Sequence, residues 1–216
     1  MALISDEDQE YLKKEFEGQL EDKVTLVMFT QDDHECRFCQ ETREIVETLA
    51  TLSDKIEAEI YHFLDDKEKA KEYDIDKIPA ISIIGKKDYG VKFYGIPSGY
   101  EFTTLIHDII EVSKGETSLS KESKEEIAKI DKPMHIQVFV TPTCPYCPSA
   151  VHLAHQAAIE NDNIKADMVE AVEFPQLSQK YNVSGVPKTV INDKYEFVGA
   201  LPEEAFVQEL KAAIQK

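Results

Sequence analysis

The hydrophobic and polar positions of this chain fall into two successive sets of elements that read alike. In the first set, Ser5 stands ahead of Asp6, Glu7 and Asp8, a capping residue followed by an acidic first turn, which predicts a helix to about residue 17. Residues 24–30 (Val-Thr-Leu-Val-Met-Phe-Thr) are nearly unbroken apolar, as in a strand covered on both faces. Ile45, Val46, Leu49 and Leu52 recur at helical spacing, and Ile56 to Ile60 alternate as a strand does. A short polar helix is expected near 67–73. Ala80–Ile84 and Val91–Tyr94 then read as a hairpin turned at Lys86-Lys87-Asp88. A last helix, about 100–113, carries Phe102, Leu105, Ile106, Ile109 and Ile110 on one apolar face, which predicts core.

The second set repeats the first. It predicts a charged helix at 120–131, a buried strand at 134–140 and a helix opened by Cys144 with Val151, Ala154 and Ala158 on one side. Ile164, Ala166 and Met168 alternate; Thr189–Ile191 and Tyr195–Val198 form a hairpin turned at Asn192-Asp193-Lys194; and a helix starts near Pro202, suited to a first turn. The polar break Gly115-Glu116-Thr117-Ser118 separates two units, 1–116 and 117–216.

All four cysteines of the chain lie in this repeat, as Cys36-Arg37-Phe38-Cys39 and Cys144-Pro145-Tyr146-Cys147, 108 positions apart. Ile78-Pro79 and Val186-Pro187 follow the two pairs at the same distance. A chain with every cysteine in one repeated pair reads as a two-site thiol–disulfide exchange protein. The thiolate is the nucleophile, and an anion at a helix origin is stabilised by unpaired N–H groups and the helix dipole. Cysteines so placed have pKa values of roughly 3.5–7.5, against ~8.5 when free. Cys36 and Cys144, each expected at a helix start, are therefore the attacking thiols, and Cys39 and Cys147 the resolving thiols. Arg37 favours a thiolate at Cys36, while Asp33 and Glu35 oppose it. The two centres are expected to differ in potential, Cys144–Cys147 being the more oxidising.

A net charge of −18 over 216 residues argues against nucleic acid and anionic membrane surfaces as partners. The N-terminus has no basic stretch followed by an apolar core, and no run of 18 apolar residues exists, so neither a secretory leader nor a membrane span is expected. The expected location is the cytoplasm. Charged residues at 31%, no Trp and only 8 Gly lean toward a thermophile.

A strand, a Cys-x-x-Cys, and a proline about 40 residues later before a hairpin resemble the thioredoxin fold. Two such units resemble the glutaredoxin-like protein disulfide oxidoreductases of hyperthermophiles, and the N-terminal region of the flavoprotein that feeds alkyl hydroperoxide reductases has a similar doubled architecture. The resemblance implies an α/β chain of two tandem thioredoxin folds, each a central mixed β-sheet flanked by helices. It also implies cis peptide bonds before Pro79 and Pro187, leaving the backbone of Ile78 and Val186 open to an extended substrate segment. The implied partners are protein thiols and disulfides, with a thioredoxin-reductase-like flavoprotein as electron donor. Departures are visible. Met28 and Val138 stand where thioredoxins bury an acid, Gly199-Ala200-Leu201-Pro202 replaces the glutaredoxin glycines, which argues against a glutathione site, and two extra residues precede Cys36.

Two other readings remain. Four cysteines could hold zinc, but the pairs of such sites usually lie ~15–20 residues apart; here 104 residues intervene. A redox-inert thioredoxin-like binding module would be expected to have lost its cysteines. His34, His152 and His155 read as surface or packing residues, and no metal ligand is assigned. No glycine-rich phosphate loop is present, so neither flavin nor nicotinamide should bind. The redox-active disulfides Cys36–Cys39 and Cys144–Cys147 are the expected chemistry. The acidic runs near 65–68 and 122–126 read as solvated helix faces.

Overall fold

The computed structural model describes residues 3–32 and 36–215. The first unit runs α1 (Asp6–Gln19), β1 (Val24–Thr30), α2 (Cys39–Thr51), β2 (Ile56–His62), α3 (Lys67–Glu72), β3 (Ala80–Ile84), β4 (Asp88–Tyr94) and α4 (Glu101–Lys114). The second runs α5 (Lys121–Ile127), β5 (Met134–Val140), α6 (Cys147–Glu160), β6 (Ile164–Glu170), α7 (Pro175–Lys180), β7 (Lys188–Ile191), β8 (Tyr195–Val198) and α8 (Glu203–Ile214).

Local chemistry accounts for many of these boundaries. Ser5 Oγ accepts from Asp8 N at 3.1 Å and caps α1. Gly115 closes α4 in the left-handed region (φ 69°), where a residue without Cβ sits most easily. Asn192 and Asp193 (φ 50° and 60°) form the two-residue left-handed turn that matches hairpin twist. Two ends differ from expectation. α5 stops at Ile127 rather than 131 because Asn161 Nδ2 donates to the carbonyls of Ile127 and Ile130 at 2.7 and 2.9 Å, contacts that come from a distant part of the chain. Pro202 is the N-cap of α8, one position outside its first turn.

The duplication extends to backbone detail. β2 and β6 are offset by 108 residues, as are the left-handed residues Asp74 and Asn182 (φ 55° and 50°) and the cis bonds Ile78–Pro79 and Val186–Pro187. β1 and β5 are offset by 110, so the extra two residues fall between β1 and Cys36. Part of that loop, Asp33-His34-Glu35, lies outside the described residues.

In each unit the central strand pairs in parallel with one neighbour and antiparallel with the other: β1 with β2 and β3, β5 with β6 and β7. The hairpins β3–β4 and β7–β8 complete the units. The two sheets then join edge to edge, β4 parallel to β6 from Val91↔Ala166 to Tyr94↔Val169. The result is one sheet in the order β2-β1-β3-β4-β6-β5-β7-β8. Joining β4 to β6 satisfies backbone groups that two free edges would expose. Both faces are covered. Leu26 and Met28 enter the larger apolar cluster, while Val27 and Phe29 enter a second one with Ala70 and Ile75. That two-sided burial is why β1 reads as an unbroken apolar run. Val138 is likewise fully buried.

Candidate active sites

Both cysteine pairs follow the C-terminal end of a central strand, β1 or β5. The helix origins correct the expectation for Cys36 and Cys144. α2 begins at Cys39 and α6 at Cys147, with Phe38 and Tyr146 as N-caps. The intervening dipeptides form a turn, and the first intrahelical bond of α2 runs from Thr42 N to Phe38 O at 2.9 Å. The first sulfur nevertheless reaches the helix origin covalently. Cys36 is disulfide-bonded to Cys39 and Cys144 to Cys147, with Cα separations of 5.4 and 5.5 Å. Each leading sulfur is thus held against the N-terminal turn, where amide N–H groups have no helical partner. Exposure separates the partners of each pair: Cys39 and Cys147 are 2% and 0% exposed, Cys144 is 6% exposed, and Cys36 is half-buried. In both pairs the leading sulfur belongs to the more accessible residue.

Pro79 and Pro187 immediately precede β3 and β7. The registers Phe29↔Ala80 and Phe139↔Lys188 bring each proline alongside the end of the strand that leads to its own cysteine pair. Because β1, β4, β6 and β5 run in one direction, both centres lie along the same edge of the eight-stranded sheet.

Carboxylates lie between the two centres. Glu173 Oε1 accepts from Ile96 N of the first unit at 2.7 Å, and Glu173 N donates to Glu170 Oε2 at 2.6 Å. Burial pushes Glu173 up to about 7 and also raises Glu170, with the charge of Arg37 opposing both shifts. The guanidinium of Arg37 lies over the Phe38 ring, 5.0 Å from its centroid. The field of Arg37 is therefore shared between its own cysteine pair and carboxylates of the second unit. Asp33 and Glu35, expected to oppose it, fall outside the described residues.

The first unit also supports the second centre directly. Tyr100 N donates to Pro142 O at 3.2 Å. Gly99 (φ 61°) approaches so closely that a Cβ there would stand 2.3 Å from Pro142 O. Two residues on, Glu101 is 1% exposed and burial pushes its carboxyl up to about 7. Thr104 Oγ1 donates to Glu101 Oε2 at 2.9 Å, and Oε1 has no hydrogen-bond partner among the described residues. α4 runs parallel to α6, with Asp108 against His155 and Glu111 against Gln156. Met28 and Val138 leave the central strands without an acid, and Glu101 supplies a buried carboxyl from a different element. Sequence reading passed it over, although its position four before Leu105 and eight before Ile109 put it on the apolar stripe.

The remaining candidates sort by burial. Leu105 and Ile109 are core, while Phe102 is only partly buried. His155 is fully buried on Asp108, and His34 falls outside the described residues. Among the described residues, no helix is long and apolar enough to cross a membrane.

Residues 134–212 match the sequence profile of the thioredoxin domain family. The whole structure superposes on that of a protein disulfide oxidoreductase from Aeropyrum pernix K1, with a TM-score of 0.90 and 29% identity, covering 99% of this chain and 95% of the other. The chain thus has the doubled thioredoxin fold seen in that oxidoreductase. The same doubled fold matches the alkylhydroperoxide reductase AhpF of Enterococcus faecalis, with a TM-score of 0.87, 26% identity and coverage of 96% and 99%. In sequence, the corresponding alkyl hydroperoxide reductase component of Xanthomonas campestris pv. phaseoli is 24% identical over 92% of this chain. A Bacillus subtilis NADH dehydrogenase is 28% identical over 68% of it. The chain spans only 27% of the length of the Bacillus relative and 36% of that from Xanthomonas. Within this doubled fold each cysteine pair closes inside its own unit, so the four sulfurs do not converge and a four-cysteine zinc site is not supported.

Proposed function

We propose that the chain is a protein thiol–disulfide oxidoreductase with two redox centres, Cys36–Cys39 on unit 1–116 and Cys144–Cys147 on unit 117–216. The observation that carries this reading is the disulfide closed on the first turn of α2 and again of α6, its leading cysteine the more accessible and its second buried.

In the reducing direction, the thiolate of Cys36 or Cys144 attacks a substrate disulfide. One substrate sulfur leaves as a thiolate and a mixed disulfide forms. The thiolate of Cys39 or Cys147 then attacks the enzyme sulfur of that bond, closes the internal disulfide and releases the second substrate thiolate. The substrate gains two electrons and, once its thiolates are protonated, two protons; the enzyme pair loses the same. Run backwards, the closed disulfide oxidises a substrate dithiol, and release and recapture of one mixed disulfide gives isomerisation. The backbone of Ile78-Pro79 and Val186-Pro187 pairs with an extended segment beside the cysteines. Tyr146, Val172 and Tyr100 are 69%, 64% and 52% exposed, an apolar rim suited to protein rather than small-molecule substrates. A thioredoxin-reductase-like flavoprotein renews the dithiols. The chain so acting maintains the cytoplasmic thiol/disulfide balance.

Reduction of insulin by dithiothreitol, followed by turbidity, tests the reading. The protein should accelerate precipitation, Cys36→Ser and Cys144→Ser variants should each keep part of the activity, and the double variant should keep none. No acceleration by the unaltered protein would sink the proposal.

A further inference from the structure

Among the described residues, one group of side chains has the composition of a metal site, and it is remote in kind from the cysteines. Asp108 and Glu111 on α4 and His152 on α6 each offer a donor atom, and the three atoms lie within 4.8 Å of one another. Asp108 Oδ1 is 3.2 Å from His152 Nδ1, and Glu111 Oε2 is 3.7 Å from His152 Nε2. The two carboxylates thus meet opposite ring nitrogens of His152, of which a single ion takes one.

The outer contacts hold these donors in place. Asp108 is fully buried, and its second oxygen is taken by His155 Nδ1 at 2.5 Å. Glu111, 9% exposed, receives Ser118 N at 3.0 Å and Gln156 Nε2 at 2.8 Å on the same oxygen, Oε1. That leaves Oε2 aimed at the cluster with no hydrogen-bond partner among the described residues. The imidazole nitrogen beside it, His152 Nε2, is at 3.7 Å and beyond hydrogen-bond reach; a buried carboxylate oxygen so placed is costly, and a cation bound between them would stabilise it. Outer hydrogen bonds that fix metal-ligating carboxylates in this manner are a regular feature of metal centres. Access exists too: Glu111 and His152 line a cavity of ≈ 830 Å³ beside α1 and α4.

We propose that Asp108, Glu111 and one ring nitrogen of His152 bind a single divalent transition-metal ion, Zn²⁺ in the first instance. Two carboxylates neutralise its charge, and the fourth position faces the cavity and holds water. Mixed oxygen and imidazole donors suit zinc and its neighbours rather than calcium or magnesium. The ion would clamp α4 of the first unit to α6 of the second, the helix that Cys147 opens. This assignment departs from the sequence reading, which gave the histidines no ligand role.

The test uses the full chain with both cysteine pairs oxidised, so that no thiolate can compete. Titration with ZnCl₂ by calorimetry should give one ion per chain, and zinc should raise the thermal midpoint. Glu111→Gln and His152→Phe variants should bind at least tenfold more weakly and lose the zinc-dependent shift. No binding by the oxidised protein, or unchanged binding in both variants, overturns the proposal. Should either variant fail to fold, Co²⁺ bound to the unaltered oxidised protein decides. A visible tetrahedral spectrum without sulfur charge-transfer bands supports the site, and its absence overturns it.

Discussion

At the scale of single residues, the decisive contrast is between groups whose role follows from covalent spacing and groups whose role follows from burial. The cysteines belong to the first kind: a three-residue separation closes on one turn wherever it falls. Glu101 belongs to the second. Its folded pKa of about 7 stands above the ordinary 4.5, so between those values the folded chain binds a proton that the unfolded chain has released. Stability therefore falls as pH rises from about 4.5 to 7. Glu101→Gln, neutral at every pH, should flatten that part of the curve by about 1–3 kcal/mol; denaturant midpoints measured at pH 4.5, 6 and 7.5 check it. An unchanged slope would mean the carboxyl is solvated. The dipeptides between the cysteines give a second prediction at this scale. Pro145-Tyr146 matches a common glutaredoxin dipeptide, and such sites lie at roughly −200 to −230 mV, above thioredoxin at about −270 mV; Arg37 acts the other way, because a cation that holds the Cys36 thiolate stabilises the reduced form. Glutathione titration of the single-site variants should give two different midpoints, Cys144–Cys147 the less negative, and coincident midpoints would refute it.

At the scale of elements, most of the secondary structure follows from short-range signals. The cap at Ser5, the glycine after Lys114, the Asn192-Asp193 turn and the two-sided apolar strands are each decided within a few residues of chain. Signals of this kind missed the ends of helices whose termini are satisfied from afar, as Asn161 does for α5. The starts of α2 and α6 were missed for another reason: the dipeptides between the cysteines form a turn, so the helices open at the second cysteine of each pair. The loop before α4 is also an element decided by its neighbour. Gly99 must take a positive φ while its Cα faces Pro142 O. Gly99→Ala should cost roughly 2 kcal/mol, from the left-handed penalty and the contact together. It should slow exchange at Cys144 while leaving Cys36 unaffected. Site-resolved alkylation rates would show this, and equal effects on both thiols would contradict it.

At the scale of the whole molecule, the notable fact is that the repeats are not beads on a string. β4 and β6 would each be an open edge in an isolated unit, and their pairing merges two sheets into one. Chains cut after residue 116 should therefore behave poorly apart: the first piece exposes β4, the second exposes β6, and unpaired strands of this length associate. Light scattering of separately expressed pieces should show self-association, and mixing them should restore a one-to-one complex. Two stable, indifferent monomers would refute the argument. The same fusion sets both cysteine pairs along one edge of the sheet, with Glu170, Glu173 and the loop around Gly99 between them, so that under the proposed function one substrate would meet both without turning round.

What this sequence determined by itself was everything that depends on local pattern or on covalent distance. It carried two copies of one series of elements, two cysteine pairs, and a proline at equal remove from each. These survive in any environment that lets the apolar periodicities bury themselves. Only the tertiary structure decided which strand edges would meet, which carboxylates would be shut away from water, and that Asp108, Glu111 and His152 would share one place. Those outcomes rest on contacts between residues 44 and 45 positions apart, where no local propensity speaks and where desolvation and edge pairing set the energy.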